Sequence, residues 1–106
     1  MKPQIVHFKK KPHDVYIGRP SKWGNPFSSK PGIAKFQVST KVESLNKHRD
    51  WILANTDFMD EIKQELRGKV LGCWCENPLA CHGYILWKVA NDQPLTEISF
   101  KPEVLF

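Results

Sequence analysis

The stretch Gly68–Gly83 contains all three cysteines of a 106-residue chain and one of its four histidines. It opens with Val70-Leu71-Gly72-Cys73-Trp74, whose continuous apolar character is that of a short strand buried on both faces. A polar link through Cys75 to Ala80 follows. A helix is then expected from Cys81 or His82, with Ile85, Leu86 and Val89 as its buried stripe, ending near Asn91-Asp92. The cysteines therefore lie at the carboxyl end of a strand and the start of a helix.

The rest of the chain supplies partners for that strand. Gln4-Ile5-Val6-His7-Phe8 reads as a first strand and Val15-Tyr16-Ile17 as a short second one, ended by Gly18. From Gly18 to Gly32 glycines and prolines recur around Trp23 and Phe27, which predicts a long, ordered loop. Thr40-Lys41-Val42-Glu43 has the pattern of a capping box, with a hydroxyl at the cap and a carboxylate three residues on. Val42, Leu45, His48 and Ile52 follow at helical spacing. A second helix capped by Thr56 or Asp57 is expected to stop at Gly68. Thr96–Phe100 reads as a last strand. This order predicts one α/β domain over residues 1–106, a short, mostly parallel sheet with helices packed on it, and a ligand site at the strand-to-helix junction. Residues 92–106 form an extension.

The totals are those of a globular chain, with 41% hydrophobic and 25% charged residues. No apolar run is long enough to span a bilayer, and the N-terminus lacks the apolar core of a signal peptide. An odd cysteine count argues against a secreted disulfide framework. A cytoplasmic location is expected. The net charge of +5 suits anionic partners, and Lys9-Lys10-Lys11 is the tightest basic run. Oligomeric state is not legible.

Three chemistries compete in the cysteine stretch. Cys73, Cys75, Cys81 and His82 form a legitimate zinc set, although C-x-C is a tighter clip than usual and Cys81 and His82 are adjacent. Cys81 at a helix N-terminus, beside His82, is instead placed as a reactive thiol. Finally, buried cysteine behaves as a small hydrophobe, which suits Cys73. Elsewhere, Trp23 reads as a loop anchor and Trp74 as core. His13 reads as a solvated turn residue, and His48 as the edge of a helical stripe.

The segment Asp14–Phe27, then Leu66–Cys75, then Cys81-His82-Gly83 resembles the domain of unknown function 4326 family of bacteria and phages, over residues 5–91. The resemblance implies that Arg19, Trp23, Gly24, Asn25 and Pro26 belong with Cys73, Cys75, Cys81 and His82 as one signature. The link Glu76–Ala80 is longer than in the family pattern. The last strand and helix are also similar to the domain of unknown function 488 family.

Two polar signatures far apart in sequence make sense as two walls of one pocket. The expectation is a pocket for a small anionic, nucleotide-like ligand. Arg19 pairs with the anion and Asn25 gives directional hydrogen bonds. Trp23 walls the site beside Gly24, Cys73 and Cys75. Cys81 and His82 are the candidate nucleophile and acid–base group. A zinc-stapled interaction protein is one alternative. The other is nucleic-acid binding through Lys9, Lys10, Lys11, Lys22 and Lys30.

Overall fold

The structure is a computed structural model and describes residues 4–19, 21–29, 32, 35–74 and 81–95. Its elements are β1 (Ile5–His7), β2 (Val15–Tyr16), β3 (Phe27–Ser28), β4 (Phe36–Gln37), α1 (Lys41–Leu53), α2 (Thr56–Leu66), β5 (Leu71–Cys73) and α3 (His82–Ala90). The apolar strand recognised in the sequence is the central one. The sheet order is β1-β5-β2, and both neighbours run parallel to β5. All three residues of β5 are buried, as its unbroken apolar sequence requires.

Because β5 lies between β1 and β2, the chain crosses the sheet within residues 8–14. Parallel crossovers usually take about a dozen residues or more, most often with a helix. Here a short loop does it by lying directly on the strand. A Cβ built at Gly72 would lie 2.6 Å from Cγ of the His13 ring, so only glycine leaves room for the crossing. Asp14 locks the return, since its Oδ2 accepts from Val70 N at 2.8 Å. His13 is therefore half-buried against β5, which corrects its reading as a solvated turn residue.

Helix α3 covers the opposite face. A Cβ at Gly83 would lie 2.6 Å from Cδ1 of Ile17 and 3.4 Å from Cγ2 of Ile5, so the first turn of α3 is seated on β1 and the end of β2. Leu71 and Cys73 project to this side by the alternation of a strand, and Gly72 and Trp74 to the other. Ile85, Leu86 and Val89 of α3 and Ile62 and Leu66 of α2 are buried in one core with Leu45 and Ile52 of α1.

The helix signals hold. Thr40 caps α1, its hydroxyl accepting from Glu43 N at 3.1 Å while Glu43 Oε1 accepts from Ser39 N at 2.8 Å. Helix α2 begins at Thr56 with Asn55 as its N-cap, so the cap lies one position before Thr56, the nearer of the two expected, and its side chain makes no capping hydrogen bond. Gly68 has φ of +74°, the left-handed stop. Within the predicted long loop, Phe27–Ser28 pairs in parallel with Phe36–Gln37, a second two-stranded sheet too short to show as a sequence pattern. The last strand expected at 96–100 lies outside the described residues. Among the described residues no helix is long and apolar enough to cross a membrane.

Candidate functional site

The loop after β2 is built to present one arginine. The Tyr16 ring folds over Gly18, where a Cβ would come within 2.3 Å of the phenol oxygen. Tyr16 Oη donates to the Arg19 carbonyl at 3.0 Å, and Ser21 Oγ donates to the Gly18 carbonyl at 2.6 Å. The chain then turns back so tightly that a Cβ at Gly24 would meet Arg19 Cγ at 2.9 Å and Cα at 3.1 Å. Arg19 Nε donates to the Asn25 carbonyl at 3.1 Å. Asn25 itself is buried, and its amide is used internally. Nδ2 donates to Ser44 Oγ at 2.8 Å, and Oδ1 accepts from Phe27 N at 2.9 Å. Ser44 completes the lock by donating from Oγ to the Phe27 carbonyl at 2.7 Å. Through this buried network α1 holds the loop. Arg19 stays exposed, and among the described residues Nε makes its guanidinium's one hydrogen bond.

The second wall forms where β5 and α3 meet. Cys81 is the N-cap of α3, with extended backbone, and its Sγ accepts from Gly83 N at 3.4 Å. Cys73 Sγ lies 3.1 Å from Cys81 Sγ, and both are fully buried thiols. His82 bridges the two walls. Its Nε2 lies 2.7 Å from the carbonyl oxygen of Ile17, just before Gly18-Arg19, and its Nδ1 faces Cys81 Sγ at 3.8 Å. A carbonyl only accepts, so Nε2 carries the hydrogen and Nδ1 keeps its lone pair in the neutral ring.

A third group completes the cluster. His48 of α1 lies 5.7 Å from His82 between ring centroids. It is buried, and its Nδ1 has no hydrogen-bond partner among the described residues. Burial, then His82, then Arg19 hold its imidazole well below the usual range. Burial also lowers His82, opposed by the Ile17 bond and Cys73 and assisted by Arg19 and Lys41. Both rings are therefore neutral at pH 7. The result is an exposed cation, a helix N-terminus and two neutral imidazoles at the carboxyl ends of parallel strands, where ligands of such sheets bind.

Of the predicted residues, Arg19, Cys73, Cys81 and His82 come together, with Gly24 and Asn25 as the scaffold of Arg19. Trp23 does not join them. It is buried and stacked on Phe58 at 5.7 Å, the anchor of the loop to α2. Cys75 and Lys30 lie outside the described residues. Among the described residues no three His, Cys, Asp or Glu side chains are grouped to hold a metal ion. Lys22 is tied to Glu61 at 2.5 Å and to Glu65 at 2.9 Å in an exposed ion-pair cluster on α2. Trp74 is 55% exposed, correcting its assignment to the core. Two depressions lined by described residues lie elsewhere, one along Phe8–His13 and one near Met59 and Leu95.

His48 and Ser44 were the residues that sequence reasoning missed. Their signal was present. Ser44, His48 and Ile52 recur every four residues, so two polar groups share a helix stripe with a core isoleucine. A polar residue on a buried stripe needs a partner, and Ser44 has Asn25.

Residues 4–92 match the family described as Domain of unknown function (DUF4326). No curated protein and no solved structure matches the chain.

Proposed function

The chain belongs to that family, whose description assigns no chemistry, and we propose that the surface between Arg19 and the start of α3 binds a small phosphate-bearing ligand of the nucleotide class. The observation that carries this reading is the unpartnered, buried Nδ1 of His48 set beside His82, with the Arg19 guanidinium near enough to act on both rings. Buried polar groups are ordinarily satisfied, so an orphan nitrogen beside a cation and a helix N-terminus marks a polar site; being buried itself, His48 acts there through the His82 ring rather than by touching the ligand.

In this reading Arg19 pairs with the phosphate through its outer nitrogens, since Nε is already bonded to the Asn25 carbonyl. His82 is the acid–base group. Cys81 is a positioning residue that caps α3 and faces Nδ1, because its sulfur has no accessible surface from which to attack a substrate. An incoming anion would favour the protonated form of both imidazoles, so binding would take up protons near neutral pH.

Calorimetric titration with inorganic phosphate and with nucleoside mono- and triphosphates tests this. The expected result is saturable binding, weakened at least tenfold by Arg19→Ala and by His48→Leu, with unfolding midpoints unchanged or raised. No binding by the folded parent protein, or binding indifferent to both substitutions, overturns it. Metal analysis of the same sample tests the zinc alternative. About one zinc per chain, with unfolding on chelation, would support coordination by the cysteines instead.

A further inference from the structure

On the sheet face opposite α3, the side chains of Tyr16 of β2, of Trp74 just after β5 and of Phe8 in the crossover loop form an aromatic shelf. Phe8 and Trp74 are packed edge to face at 4.5 Å, and Phe8 and Tyr16 at 5.0 Å. His7 stacks on Phe8 at 5.7 Å with planes 14° apart. Trp74 is 55% exposed, whereas Trp23 and Trp87 are almost fully covered. An exposed tryptophan is commonly a loose one. This one is fixed, because its Nε1 donates to Tyr16 Oη at 2.9 Å and Tyr16 is itself anchored to the Arg19 carbonyl.

The shelf is flanked by the charge it needs. Lys9 Nζ lies 4.8 Å from the Trp74 ring centroid and 5.9 Å from that of Phe8. Phe8, the three lysines Lys9-Lys10-Lys11, Pro12 and His13 line an open depression of about 480 Å³. Lys9, Lys10 and Lys11 are all exposed. Among the described residues no acidic side chain lines this depression.

The geometry points to a single-stranded nucleic acid as the occupant, with one base stacked on Trp74 and the adjoining phosphates along Lys9 and Lys11. A rigid, solvent-facing indole beside a basic groove is what binds unpaired bases, since every base has a π-face and every linkage a charge. A duplex offers no open base face to Trp74. The surface includes neither the Arg19 guanidinium nor His82, and its test does not depend on phosphate binding there.

The test is fluorescence anisotropy with labelled oligonucleotides of about ten nucleotides, within the usual site sizes for single-strand binders. Single strands of DNA and RNA and a matching duplex are compared over a salt series. Expected are preference for the single strands, about tenfold or greater weakening by Trp74→Ala, near-parental binding by Trp74→Phe, and quenching of tryptophan emission on binding. Lys9→Gln and Lys11→Gln together should flatten the salt slope by up to about 1.4, at ~0.7 for each phosphate left without its lysine. Should Trp74→Ala fail to fold, the lysine variant and the quenching still decide. Parental binding by Trp74→Ala, equal affinity for duplex, or no binding at low salt overturns the inference.

Discussion

His82 Nε2 lies 2.7 Å from the carbonyl oxygen of Ile17, and that bond decides which ring nitrogen faces Cys81. The carbonyl requires a donor, so the hydrogen stays on Nε2, and Nδ1 is left with a lone pair 3.8 Å from the sulfur. Long-range nitrogen–proton NMR at pH 7 should therefore show His82 as the neutral Nε2–H tautomer. A spectrum of the Nδ1–H form, or of imidazolium, would break the link between the two walls.

The same cluster sets how stability depends on acidity. Burial holds both His48 and His82 below the ordinary histidine value of 6.5, reinforced at His48 by His82 and Arg19 and opposed at His82 by the Ile17 bond and Cys73. Below about pH 6.5 the unfolded chain takes up protons that the folded state resists. Their contribution is thus complete above that pH and lost as pH falls through the window beneath it. Unfolding free energies from denaturant titration should fall as pH drops below about 6.5, by at most about 1.4 kcal/mol per pH unit for each ring. His48→Leu should make this slope shallower. It also removes an unpartnered buried nitrogen, whose burial costs on the order of 1–3 kcal/mol, so stability at pH 7 should hold or rise while phosphate binding falls. An unaltered pH slope in His48→Leu would remove His48 from the account.

Much of the fold was legible because its signals are local. The Thr40 cap with Glu43, the stop at Gly68 and the unbroken apolar run of β5 each act within a few residues, and each appears where expected. What was not legible depends on contacts across the chain. Trp74 looked like core because it continues an apolar run. Alternation places it on the face that only the short crossover covers, so it emerges into solvent. His13 looked solvated because it follows a proline in a turn, but its ring fills the space that Gly72 leaves. The candidate site divides in the same way. Arg19, Cys81 and His82 were visible as chemistry, whereas His48 was hidden in a helix whose spacing explained it as packing.

The glycines of the Arg19 loop have distinct roles, and Gly24 gives the sharper test. Its Cβ would press on Arg19 Cγ at 2.9 Å and on backbone at 3.1 Å, so the arginine must shift. The loop is held elsewhere by buried Trp23 and Asn25, and the core does not depend on Arg19. Gly24→Ala should cost roughly 1–3 kcal/mol, the ordinary range for overpacking. It should weaken phosphate binding nearly as much as Arg19→Ala does. A variant that binds as the parent does would show that the position of Arg19 is unimportant.

Cys81 separates a positioning role from a chemical one. Its sulfur caps α3 through Gly83 N and touches Cys73, and it has no accessible surface. A serine hydroxyl can accept the same hydrogen bond, and serine is a favoured cap residue, whereas alanine cannot accept it. Cys81→Ala should therefore lower stability by about 0.5–2 kcal/mol, and Cys81→Ser by less. Both should retain phosphate binding if Cys81 only positions His82 and the helix. Alkylation of the native protein with iodoacetamide, located residue by residue by fragment-ion mass spectrometry, should leave the sulfurs of Cys73 and Cys81 unmodified until denaturant opens the fold, because a fully buried sulfur reacts only through opening. Rapid alkylation of native Cys81, together with loss of binding in Cys81→Ser but not of stability, would move the thiol from the scaffold to the chemistry.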